Sequence, residues 1–400
     1  MPGIVALCVA YVLSQFYRSF LAVLVPYLST ELGMSAAELA YASGTWFAAF
    51  ALAQFPIGAW LDRYGPRRTA AWLHAAAGGG GAALFALAQS PLHVIVAMGL
   101  IGIGCAPVLM ATFYVFARNY SAAGFATLAS TFIAAGSLGN IAGSAPMALA
   151  VEQFGWRPSL WFLCAVTLAT ALAVLVLVRD PRRAAAHAAA RGGYLDLIRI
   201  RQLWPIFPMI FLGYAVAGGI RGLWVGPYLQ DVHQLGTVAI GQVTLAMAIA
   251  LSLGSLLYGP LDRLFDSRKW VVFFGNLMVL AAVAWLAVAP AMAVAQATVM
   301  FVVIGLLGAS YAVQIAHGKA FVPEHLTGRG VTLMNFFSIG GVGAMQFVTG
   351  RTLSALGPTA DPQWAYSVLF GLYAGALALV LVAYLASTDA RPREAAVGPV

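Results

Sequence analysis

Twelve apolar runs, each about twenty residues long, succeed one another along this chain, near 4–28, 37–60, 69–90, 93–117, 124–150, 158–178, 205–229, 238–260, 270–291, 295–318, 329–354 and 364–387. A helix rises 1.5 Å per residue, so each run covers the ~30 Å hydrocarbon core of a bilayer. Lipid offers no partner to backbone N–H and C=O groups, and a helix satisfies its own. The expected fold class is therefore an all-α integral membrane protein with twelve transmembrane helices. With 62% hydrophobic and 8% charged residues, a soluble 400-residue globule has no way to hide its apolar surface. The first run lacks a basic n-region and a cleavage site and carries Arg18, so it reads as a retained helix and not a signal peptide.

The formal net charge of +8 points to nucleic acid only if the positive residues share a face, and here they sort by side. Of the 21 lysines and arginines, 17 lie in the even-numbered connections and the C-terminal tail, among them Arg63, Arg67, Arg118, Arg179, Arg182, Arg183, Arg191, Arg263, Lys319, Arg329 and Arg393. Positive residues stay cytoplasmic, which predicts a multi-pass protein of the cell inner membrane with both termini inside and no nucleic-acid partner. Cys8, Cys105 and Cys164 all fall within predicted spans and read as small buried hydrophobes.

A polar linker at 179–204 separates a six-helix bundle at 1–178 from a second at 205–388, followed by a cytoplasmic tail at 389–400. Offsets near 200 residues align the halves: Pro26-Tyr27-Leu28 with Pro227-Tyr228-Leu229, Leu61-Asp62-Arg63 with Leu261-Asp262-Arg263, and Gly136 with Gly340 within a few residues. Such a parallel repeat implies pseudo-symmetry about an axis along the membrane normal.

Within this repeat, Arg18 in the first run and Arg221 in the seventh hold matching positions. A charge at that depth costs about 2.5–3.5 kcal/mol on the insertion scales and is rarely tolerated without a task. Arg18 lies eight residues before Pro26, roughly 12 Å inside the helix end, too far for simple snorkelling. Tyr11, Ser14, Gln15 and Arg18 recur at spacings of three and four, as do Tyr214, Gly218, Arg221 and Trp224, which puts each set on one helix face. Arginine's rigid fork suits carboxylate, phosphate or nitrate oxygens. The alternative is structural, with each arginine tying down backbone carbonyls. None of the 13 acidic residues lies deep in a predicted span, so neither a buried counter-charge nor an intramembrane proton-carrying carboxylate is evident. In the tenth run Tyr311, Gln314 and His317 follow a three-residue spacing; the first two are expected to line a cavity, and His317 to be hydrogen-bonded or solvated near the cytoplasmic mouth.

After the second run comes Gly58-Ala59-Trp60-Leu61-Asp62-Arg63-Tyr64-Gly65-Pro66-Arg67-Arg68, and after the eighth its weaker echo Gly259-Pro260-Leu261-Asp262-Arg263. The first resembles the loop 2–3 signature of the major facilitator superfamily, and the resemblance covers the whole chain. It implies a 6+6 fold and a secondary transporter that works by alternating access. It also implies a cytoplasmic latch in which Asp62 faces the start of the eleventh helix, Arg118 joins the cluster, and Arg63, Arg67, Asp262 and Arg263 complete the two copies. An arginine on the first and seventh helices is similar to the pattern of organophosphate exchangers. The expected substrate is accordingly a small organic or inorganic anion gripped by Arg18 and Arg221, in a pocket shaped by Tyr11, Gln15, Tyr214, Trp224, Tyr311 and Gln314. The rivals are an exporter of amphipathic compounds and a non-transporting membrane sensor. Gly78-Gly79-Gly80-Gly81 lacks the Lys-Ser or Lys-Thr of a nucleotide loop, and no hydrolase motif or metal-ligand cluster is present. No cofactor and no enzymatic activity are expected, and the chain is expected to act as a monomer.

Overall fold

The computed structural model describes residues 2–120, 122–181, 194–323, 326–357 and 359–391. Arg182, Arg183, Arg191 and most of the linker, as well as Arg393 and most of the tail, lie outside the described residues. Every regular element among those described is helical. Nine of the described helices are long and apolar enough to cross a membrane, or ten when the pair Pro2–Phe16 and Leu21–Glu31 counts as one bent span. Two more segments have the length but a diluted apolarity. Ala36–Tyr64 carries Glu38, Gln54, Asp62 and Arg63, and the run Pro66–Leu73, His74–Gly79, Gly80–Ala86 carries two arginines, a histidine and four glycines. With these as the second and third, the described residues accommodate all twelve expected spans.

The remaining spans are, in order, Pro91–Asn119 (fourth), Ala122–Ala142 with Ala145–Phe154 (fifth), Trp156–Leu177 (sixth), 207–233 (seventh), Thr237–Leu264, Arg268–Val288, Val294–Leu307 with Tyr311–Lys319 (tenth), Thr327–Leu356 and Pro362–Leu385. Their ends follow local rules. Ser35 caps the second span with a reciprocal box, its Oγ accepting the Glu38 N–H and the Glu38 carboxylate accepting the Ser35 N–H. Gly65 ends that span at φ +84°, a conformation that side chains disfavour. The seventh span runs further than its apolar stretch, so Asp231 belongs to its last turns, where it accepts a hydrogen bond from Tyr366 at 2.6 Å.

The chain divides into two compact units. One comprises Met1–Ala184 with Gly222–Gln230 and Gln234–Leu245; the other comprises Ala185–Arg221, Asp231–His233 and Ala246–Val400. In both, large aliphatic and aromatic side chains face outward, as at Phe162 and Leu379, because lipid is as apolar as leucine. Inside, helices meet through small residues. A Cβ at Gly139 of the fifth span would collide with the Val12 carbonyl of the first, and one at Gly341 of the eleventh with the Phe211 carbonyl of the seventh. The same backbone-to-backbone approach thus occurs in each unit.

Candidate functional site

The first span is broken at its arginine. After Phe16 the backbone turns through residues 17–20 and resumes at Leu21, with a bend of 52°. The Ser19 N–H reaches Phe16 O, a tightened three-residue pattern in place of the α ladder. Arg18 sits in this turn, half-buried, with its guanidinium 4.9 Å from the Phe50 ring centroid and 5.5 Å from that of Trp46. Trp46 and Phe50 stack on each other at 5.2 Å, forming an aromatic wall on the second span. Two donors there are buried without a hydrogen-bond acceptor among the described residues, Arg18 Nε and Trp46 Nε1. Such donors cost stability until an acceptor meets them. Earlier on the same span, Gln15 Nε2 donates to Tyr11 Oη at 2.9 Å, and the Tyr11 ring stacks on Phe132 at 4.8 Å.

The seventh span is irregular at its arginine as well, in another way. Phe207–Gly219 passes into a π-turn, Ile220–Trp224, before Val225–His233 continues the helix. Arg221 lies in that turn and is 2% exposed. The Gly219 carbonyl just before it accepts the Gln346 side-chain amide at 3.0 Å.

The polar stripe expected on this span is divided by the structure. Tyr214 and Arg221 fall in one compact unit, and Trp224, fully buried, falls in the other. Gly218 lies against the Tyr214 ring, where a Cβ would stand 3.1 Å from the nearest ring carbon. The Tyr214 ring lies 5.8 Å from that of Tyr311, whose hydroxyl donates to Asn335 Oδ1 at 2.8 Å. Gln314 is buried, and its amide donates to Ser310 Oγ at 2.8 Å. The predicted residues of the first unit (Tyr11, Gln15, Arg18) thus gather around the broken first span. Those of the second (Tyr214, Arg221, Tyr311, Gln314) belong to the seventh and tenth. Spacing alone does not find Trp46 and Phe50, because it identifies the face of one helix and not the neighbour opposite.

At the ends of the spans, the signature residues take several roles. Asp62, Arg63, Arg118 and Arg263 are exposed. The guanidinium of Arg63 stands 5.2 Å from the Tyr64 ring and that of Arg118 4.9 Å from Tyr114. Asp262 is buried and pairs with Arg268 at 3.4 Å. Arg67 is held by Asp180, which accepts its backbone N–H at 2.9 Å. Asp389 does the same in the other unit, accepting the Lys269 N–H at 2.9 Å and the Ser267 hydroxyl at 2.6 Å. Each of these two carboxylates therefore meets a helix N-terminus, at the third and ninth spans, where free N–H groups and the positive dipole end favour an anion. Both follow shortly after the last span of a half, a repeat visible in the sequence at Asp180 and Asp389 but carrying no motif. His317 is fully buried: Nε2 donates to Thr388 O at 2.8 Å, a carbonyl that only accepts, so in the neutral ring Nδ1 accepts from Tyr384 Oη at 2.6 Å.

Comparisons with known proteins agree with this architecture. Solved structures of similar fold include a bacterial homolog of the human lysosomal transporter Spinster in an inward-facing, occupied conformation (TM-score 0.76, 17% identity, 96% of each chain covered). A D-xylose–proton symporter aligns with a TM-score of 0.73 at 15% identity, over 94% of this chain and 96% of that one. A mutant of the nucleoside transporter NupG gives 0.73 at 16% identity, over 97% and 100%. At such identities the likeness is one of fold. No curated protein matches the chain. The model of the Major Facilitator Superfamily matches residues 7–345, and with its helical spans and duplicated halves this multi-pass membrane protein belongs to that superfamily of transporters.

Proposed function

We propose that this transporter carries a small organic or inorganic anion by alternating access, with Arg18 and Arg221 each contacting the substrate. One observation carries the reading. The Arg18 guanidinium lies at the break of a membrane span, no carboxylate among the described residues pairs with it, and its own Nε and the nearby Trp46 Nε1 are buried donors without acceptors there. Arginine stays charged throughout a cycle and offers a planar fork to carboxylate, phosphate or nitrate. Tyr11, Gln15, Tyr214, Trp224, Tyr311 and Gln314 shape the substrate's surroundings. Asp62 and Asp262, with their arginines, latch the cytoplasmic side. The protein works as a monomer in the inner membrane with both termini cytoplasmic, as its basic connections favour.

The test is a binding screen of purified protein against phosphate, nitrate, small carboxylates and neutral solutes. Saturable binding of one anion, weakened in Arg18→Lys, is expected. Binding of neutral solutes alone would overturn the anion assignment, and binding of none would favour a sensor.

A further inference from the structure

The tenth span is built as two helices, with a turn at residues 308–310 between them. A break inside a bilayer frees carbonyls from the helical ladder, and each needs another donor. Here Leu307 O finds one in a neighbouring span, and a second neighbour holds the side chain of the turn's serine. Tyr258 of the eighth donates its hydroxyl to Leu307 O at 2.7 Å. Asn276 of the ninth donates to Ser310 Oγ at 3.0 Å, the same oxygen that accepts Gln314. The orientation of the Asn276 amide is fixed, because its Nδ2 also donates to the Val272 carbonyl at 2.8 Å. Tyr258, Asn276 and Ser310 are all buried. Gly275 leaves room for the Tyr258 hydroxyl, which occupies the place a Cβ would take.

The other half is built without such a bracket among its described residues. Its counterpart, the fourth span, is one helix from Pro91 to Asn119. His74, at the place in the third span that matches Asn276 in the ninth, contacts the Gly104 carbonyl at 3.3 Å, within an unbroken helix. Immediately after the bracketed turn comes Tyr311, set against Tyr214 and bonded to Asn335.

We propose that Tyr258, Asn276 and Ser310 are positioning residues that hold the break in the tenth span and thereby aim Tyr311 and Gln314. The functional consequence rests on the reading that Tyr311 and Gln314 adjoin the substrate; the positioning itself does not. The experiment places 3-fluorotyrosine at Tyr311 in the full chain in nanodiscs and records its 19F spectrum without added anion. Tyr258→Phe and Ser310→Ala should each shift or split the resonance with the melting temperature lowered by no more than a few degrees, and Ser310→Thr, which keeps the hydroxyl, should retain it. Amides at 308–314 should exchange about fivefold faster in the first two variants, as expected for loss of one hydrogen bond. An unmoved resonance in Tyr258→Phe and Ser310→Ala, or equal shifts in Ser310→Ala and Ser310→Thr, overturns the proposal. If Ser310→Ala does not fold, Tyr258→Phe, which loses one oxygen atom, decides alone. Because no anion is present, the outcome is independent of the binding screen.

Discussion

Arg18 and Arg221 occupy matching places in a duplicated sequence, yet the chain treats them differently. Arg18 is half-buried in an open turn between two helices, against the Trp46 and Phe50 rings. Arg221 is 2% exposed in a π-turn that keeps the seventh span continuous, with Gln346 meeting the Gly219 carbonyl. An aromatic wall attracts a guanidinium by about 0.5–2 kcal/mol and leaves its N–H edge available. The difference teaches that a repeat can keep where a charge sits without keeping its exposure or the backbone that carries it.

That contrast is open to attack by mutation. The largest effect is expected for Arg221→Ala, with anion binding weakened by about 2–5 kcal/mol in calorimetry, since truncating a buried charged contact leaves its partner unpaired. Equal losses in Arg18→Ala and Arg221→Ala would erase the distinction. Arg18→Lys should cost about tenfold in affinity, because a point ammonium does not replace the fork, while thermal unfolding stays at the wild-type temperature. Trp46→Phe keeps the wall and removes an unmet N–H; affinity should fall about threefold if that N–H meets the anion, with stability equal or higher. Smallest for binding are Asp180→Asn and Asp389→Asn. Each weakens a helix N-terminal contact by about 0.5–2 kcal/mol, so turnover in proteoliposomes should slow while binding is unchanged.

Much of the architecture is legible in the sequence, because hydropathy sees bilayer-length runs and because the Leu-Asp-Arg pairs mark the duplication. Asp231 shows the limit at an end: its polarity closes the apolar run early, whereas Tyr366 supports it within the helix. The breaks at 17–20 and 308–310 and the π-turn at Ile220–Trp224 are invisible to it, since a hydropathy window registers side chains and not the hydrogen-bond ladder. Asp180 and Asp389 read as ordinary loop charges. Their partners, Arg67 and Lys269, lie more than a hundred residues away in sequence, and no local pattern joins them.

The glycine contacts have a mechanical consequence. Where Gly139 meets Val12 and Gly341 meets Phe211, main chain rests on main chain, with no side chain between to rotate or compress. A side chain larger than hydrogen at Gly139 or Gly341 would force each pair of spans apart, so the closeness of the first to the fifth and of the seventh to the eleventh rests on two missing methyl groups.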